Sequence, residues 1–175
     1  MDTVLVTEGD FQTYAQAYAL FEMVKGLRDR NNIFVVMKDA SRDGVGLRGA
    51  GIVGAMIGSA IEKKDAFSNL AYDGLLINDT EAGIGVIPIV YKKMTLTFDP
   101  TKMTAKPNRY FFIPKEEITQ VKLKNVLFMN SKRKRFVLKF RNNKKVSLLL
   151  STKDKAISYQ EQEVERLIAK YEKNR

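Results

Sequence analysis

The chain has no cysteine and no histidine. Without cysteine there is no disulfide and no thiolate chemistry, which fits a reducing compartment. Without histidine there is no Ser-His triad, and both the commonest metal ligand and the usual general base near pH 7 are gone. Long apolar runs are also missing. The longest uncharged one, Gly49 to Ile61, is about 13 residues, whereas a spanning helix needs ~20. Arg48 and Glu62-Lys63-Lys64 bracket it. Met1-Asp2-Thr3-Val4 lacks the basic start of a signal peptide, so none is expected. These absences lead to the expectation of a cytoplasmic, non-enzymatic protein without cofactor or metal. Peripheral contact with a membrane surface stays open.

Two features that resemble chemistry are discounted. Gly44-Val45-Gly46-Leu47-Arg48-Gly49 satisfies G-x-G-x-x-G and follows an expected strand. A dinucleotide site would also need a βαβ unit and a later acidic residue, and the chain after Ile61 reads as antiparallel. Asp39, Asp43, Asp65, Asp73 and Asp79 are scattered carboxylates that could meet on a hard cation only by tertiary accident.

What is present begins with charge. The 175 residues are 45% hydrophobic, enough for a core, and carry a net charge of +10. Between Lys115 and Lys155 stand 13 basic residues against three acids, so this window holds the whole surplus. Such a local field attracts phosphate, on lipid or on nucleic acid. The plainer reading is a lysine-rich strand surface that deters edge pairing. The expected anion-binding groups are Lys132, Arg133, Lys134 and Arg135, then Lys139, Arg141, Lys144 and Lys145.

The second positive feature is glycine. Gly44 to Ile61 holds six of the 11 glycines. Gly46, Ala50, Gly54 and Gly58 recur every four residues, which on a helix stacks small side chains on one narrow face. A second backbone can pack closely there. Glycine costs roughly 1 kcal/mol against alanine in a helix interior, so this helix needs a packing partner. That partner is the chain itself, a second copy or a membrane, and Gly46, Ala50, Gly54 and Gly58 are the expected packing or self-association face.

Along the chain, Asp10 is an expected N-cap for a helix to about Arg30, with Phe11, Tyr14, Ala15, Tyr18 and Phe21 as an apolar stripe. Ile33 to Met37, Gly74 to Asn78, Ile84 to Tyr91, Met94 to Phe98, Arg109 to Ile113 and Ile118 to Phe128 read as strands. Gly85 and Pro88 suggest a bulge or an edge. Ser131 to Lys134 reads as a basic turn. In Arg135 to Arg141, Phe136, Leu138 and Phe140 share one face and Lys139 and Arg141 the other. Asn142-Asn143 suits a tight hairpin, returning through Val146, Leu148 and Leu150. Thr152 to Tyr171 reads as a last helix with Ile157, Val164, Leu167, Ile168 and Tyr171 on one stripe.

Short antiparallel strands followed by one amphipathic helix resemble the bacterial pleckstrin-homology-like (PH/GRAM-like) domains. The stretch Tyr110-Phe111-Phe112-Ile113-Pro114-Lys115-Glu116-Glu117-Ile118-Thr119-Gln120-Val121 is similar to that family's aromatic, Ile-Pro, acidic, Ile-x-x-Val segment. Met94 to Phe98 and the hairpin from Arg135 to Leu150 fit the same pattern. The resemblance covers roughly residues 72–175. It implies an α+β fold, an antiparallel sheet or partly open barrel closed by the C-terminal helix. Residues 1–69 would form a helix–strand–glycine-rich helix extension and 70–175 the PH-like domain. The chain lacks the tryptophan common in the last helix of eukaryotic PH domains, and Asp79-Thr80-Glu81 is acidic where a phosphoinositide loop is basic.

The function expected is a binding or adaptor module with a basic surface for anionic headgroups. An assembly module without lipid binding is the alternative. Nucleic acid is a third partner class. Phe136 and Phe140 face away from Lys139 and Arg141, so the stacking platform for single strands is missing.

Overall fold

The computed structural model describes residues 7–38, 72–92, 99–126 and 132–172. The glycine-rich stretch with Gly46, Ala50, Gly54 and Gly58, and the expected strand Met94 to Phe98, lie outside these residues. The fold is α+β. Helix α1 (Tyr14–Met23) precedes eight strands, and helix α2 (Gln160–Glu172) follows them. The strands are β1 (Asn32–Lys38), β2 (Gly74–Asp79), β3 (Gly83–Tyr91), β4 (Met103–Ala105), β5 (Phe111–Pro114), β6 (Ile118–Asn125), β7 (Arg133–Phe140) and β8 (Lys145–Ser151). Among the described residues no helix is long and apolar enough to cross a membrane.

All pairings are antiparallel, in the order β4-β3-β2-β1-β8-β7-β6, with β5 also on β3. β1 comes from the N-terminal segment and runs between β2 and β8. Residues 1–69 and 70–175 are therefore joined within one sheet. β5 and β6 stand at opposite ends of this order, yet only the short turn Lys115–Glu117 separates them. Six strand spacings in a flat sheet would span about 29 Å. The link from Pro114 to Ile118 reaches at most ~15 Å. The sheet is therefore curled, and its two ends approach each other without closing.

The curl sorts the side chains. Phe34, Val36, Leu75, Ile77, Ile84, Val86, Phe136, Leu138, Phe140, Val146, Leu148 and Leu150 line the concave side, with Val164 and Leu167 of α2. Ile33, Val35, Leu76, Ile87 and Ile89 face the other way, against Phe11, Ala17, Leu20 and Phe21 of the α1 region. β1 to β3 are thus covered on both faces, which is why they read as unbroken apolar runs. β6 to β8 bury mainly the concave face, so their sequences alternate and their lysines, Lys134 excepted, lie outside.

Local chemistry sets the corners. Pro88 sits where the outer edge of β3 passes from β5, paired at residues 83–86, to β4, paired at 89–91. Its carbonyl faces that edge and accepts from Lys106 N at 2.8 Å, so its missing N–H falls in the gap between the two partners. Gly83 has φ +148°, and a Cβ there would lie 2.2 Å from the Ile113 carbonyl oxygen. Asn143 supplies the positive φ of the β7–β8 hairpin, at 62°.

Several boundaries differ from the sequence reading. α1 is capped by Thr13, not Asp10. Thr13 and Gln16 exchange side-chain and backbone hydrogen bonds at 3.3 and 3.0 Å, a capping box. It ends at Met23, well before Arg30: Lys25 takes φ 55°, and a Cβ at Gly26 would lie 3.0 Å from the Phe21 and Tyr110 rings. Arg133 and Lys134 belong to β7, not to a turn. The last helix begins at Gln160, not Thr152. Ile157 lies before it and packs in the α1-side core, off the stripe of Val164 and Leu167.

Candidate functional site: a basic sheet face

β6, β7 and β8 contain no acidic residue and seven basic ones: Lys122, Lys124, Arg133, Lys134, Arg135, Lys139 and Lys145. Strand alternation turns Arg133, Arg135 and Lys139 away from the core. The register sets Lys124 opposite Arg135, Gln120 opposite Lys139 and Lys139 opposite Lys145. Lys122 lies between, opposite Val137. Lys122, Lys124, Arg133, Lys139 and Lys145 are exposed and form no ion pair among the described residues. Like charges directly opposite, with Cβ atoms about 5 Å apart, destabilise a sheet. The Lys139–Lys145 pair therefore works against folding.

The residues singled out in the sequence do not form one cluster. Arg133 and Arg135 lie at one end of β7. Lys139, Lys145, Arg141 and Lys144 lie at the other, some six residues or ~20 Å away. Lys132 is exposed just before β7, and its carbonyl accepts from Thr152 N at 2.8 Å. Lys134 points to the opposite side, where Nζ meets Glu172 at 2.8 Å and Asn125 at 3.1 Å. Arg141 Nε donates to the Glu116 carbonyl at 3.1 Å. Lys122 and Lys124 bridge the two ends of the face. The sequence reading set them opposite to Val121 and Leu123 without joining them to β7. Two alternating stretches, Ile118 to Asn125 and Arg135 to Arg141, close together in the chain were the available signal for that pairing.

A second polar feature lies where the ends of the sheet meet. Asp79, 3% exposed, accepts from Lys170 Nζ at 2.8 Å and from the Tyr171 hydroxyl at 3.1 Å. Burial pushes the Asp79 carboxyl above its ordinary range, against the opposing pull of Lys170, Tyr171 and Lys115. Burial, and then the Asp79 charge, pushes the Tyr171 hydroxyl far upward. A cavity of about 260 Å³ opens beside this trio.

Compared with protein-family models, curated proteins and solved structures, the chain matches none of them.

Proposed function

We propose that the protein is a non-catalytic PH-like binding module whose basic sheet face takes anionic membrane headgroups. The observation that carries this reading is the acid-free β6–β8 face with Lys139 opposite Lys145. A folding cost held on an exposed face is offset when an anionic surface neutralises it. Each lysine or arginine near such a surface contributes about 1 kcal/mol. The strand order supports the PH-like part: one meander from β1 to β4 and β5, a second from β6 to β8, then a helix. On this reading the module begins with β1, not near Tyr72.

Co-sedimentation with vesicles tests it. Vesicles containing anionic lipid should carry the protein down, purely zwitterionic ones should not, and added salt should release it. Equal pelleting with both vesicle types, or none with either, removes the proposal.

A further inference from the structure

The cavity between the two ends of the sheet is lined by Ile118, Thr119, Gln120 and Val121, four consecutive residues of one strand. A cavity against one face of a strand meets every second residue. Here the run crosses a register shift between Ile118 and Gln120, so the cavity reaches the strand's edge as well as its face. β6 is the terminal strand among the described residues, so that edge has no strand partner there. The hydrogen-bond phase follows from β7. Phe140 N donates to Lys144 O across the β7–β8 hairpin, at 2.9 Å. Alternation then turns the backbone groups of Leu138 and Phe136 toward β8. Their β6 partners, Val121 and Leu123, turn their N–H and C=O groups outward.

Among the described residues lining the cavity at this edge, the one carboxylate, Asp79, is buried and paired to Lys170, and the exposed charges are lysines beside an apolar strip. Lys122 and Lys124 are exposed on the outer face, and Lys115 and Lys170 stand at the cavity end. Ile84, Ile118 and Val121 form its apolar wall. We propose that the outer edge of β6 binds an extended acidic peptide as an added strand. Its carboxylates alternate toward Lys122 and Lys124, and its apolar side chains toward Ile84, Ile118 and Val121. Backbone pairing supplies the affinity, and this alternation supplies the selectivity. A second copy of this chain is the poorer occupant, because antiparallel β6–β6 pairing would bring the Lys122 and Lys124 side chains of the two copies together on one face.

The test uses the full chain and a labelled peptide of roughly eight residues alternating glutamate and valine, a common strand length. Two companions are the same peptide N-methylated at every second residue and a lysine–valine version. The acidic peptide should bind and slow amide exchange at Val121 and Leu123. N-methylation should weaken binding about tenfold or more, since it removes strand hydrogen bonds while keeping the charges. Lys122→Glu with Lys124→Glu should weaken it similarly without unfolding the protein. Equal binding of the N-methylated or the lysine peptide, or no binding of the acidic one, overturns the proposal.

Discussion

Gln160 holds Val35 by both of its backbone groups. The Val35 N–H donates to Oε1 at 2.9 Å, and Nε2 donates to the Val35 carbonyl at 2.8 Å and to the Ser151 carbonyl at 2.9 Å. β1 pairs with β8 only at Met37 and Lys38, so residues 32–36 face a gap on that side. The first turn of α2 fills it. Glu163 Oε2 accepts from Ile33 N at 3.3 Å and from Asn32 Nδ2 at 2.9 Å. Side chains of a helix thus take the place of a neighbouring strand.

Gln160→Ala should cost stability out of proportion to its size. It leaves a buried N–H and a buried C=O of Val35 without partners, at about 1–3 kcal/mol per group. Denaturant unfolding should record a loss of roughly 2–5 kcal/mol. A change below about 0.5 kcal/mol, the level of an ordinary surface substitution, would mean that water or β8 satisfies Val35 instead.

Asp79 should give the protein an unusual pH slope. Its raised carboxyl pKa means the folded state holds that proton more tightly than the unfolded state. Its contribution to stability is full below the unfolded value near 3.8 and declines as pH rises toward the folded one. Asp99 and Glu8, both lowered by hydrogen bonds and lysine partners, act oppositely and lose stability as pH falls. Subtraction isolates Asp79: the stability of wild type minus that of Asp79→Asn should shrink with rising pH. Urea midpoints from mildly acidic to neutral pH measure this, and a growing difference would refute the assignment.

Lys139→Glu should move stability and binding in opposite directions. It converts the like-charged pair with Lys145 into an opposite-charged one, a gain of roughly 0.2–1 kcal/mol. It also reverses one charge of the basic face, so pelleting with anionic vesicles should fall. If both rise or both fall, the face is not arranged around an anionic partner.

Much of the fold was legible in local patterns. Alternation in Arg135 to Arg141 and the Asn142-Asn143 turn gave the β7–β8 hairpin but not its register: the loop is residues 141–143, and only Asn143 takes a positive φ. The one-sided apolar stripe gave Val164 and Leu167 of α2. The reading placed the N-cap at Asp10 and did not use the spacing of Thr13 and Gln16, which form the capping box. The roles of Gln160 and Glu163 were not legible. Only 1% and 2% exposed, they look like solvent-face helix residues in the sequence, and only the splaying of β1 from β8 gives them partners. The site was legible as a charge surplus. Which cations share a face depended on a register that joins Lys122 and Lys124 to β7 and turns Lys134 away.

The gap in β1 also bears on how the chain is made. One side of β1 is completed early, because β2 follows from Gly74. The other side waits for Leu148, Leu149, Gln160 and Glu163. At a synthesis rate of ~5–20 residues per second, the last of these is made roughly 6–25 s after β1 itself. For that time a strand with a central Phe-Val-Val run has one edge bare on the ribosome. The emerging chain is then most exposed to mispairing at residues 32–36, and a chaperone that shields them would matter more for this protein's yield than for its final stability.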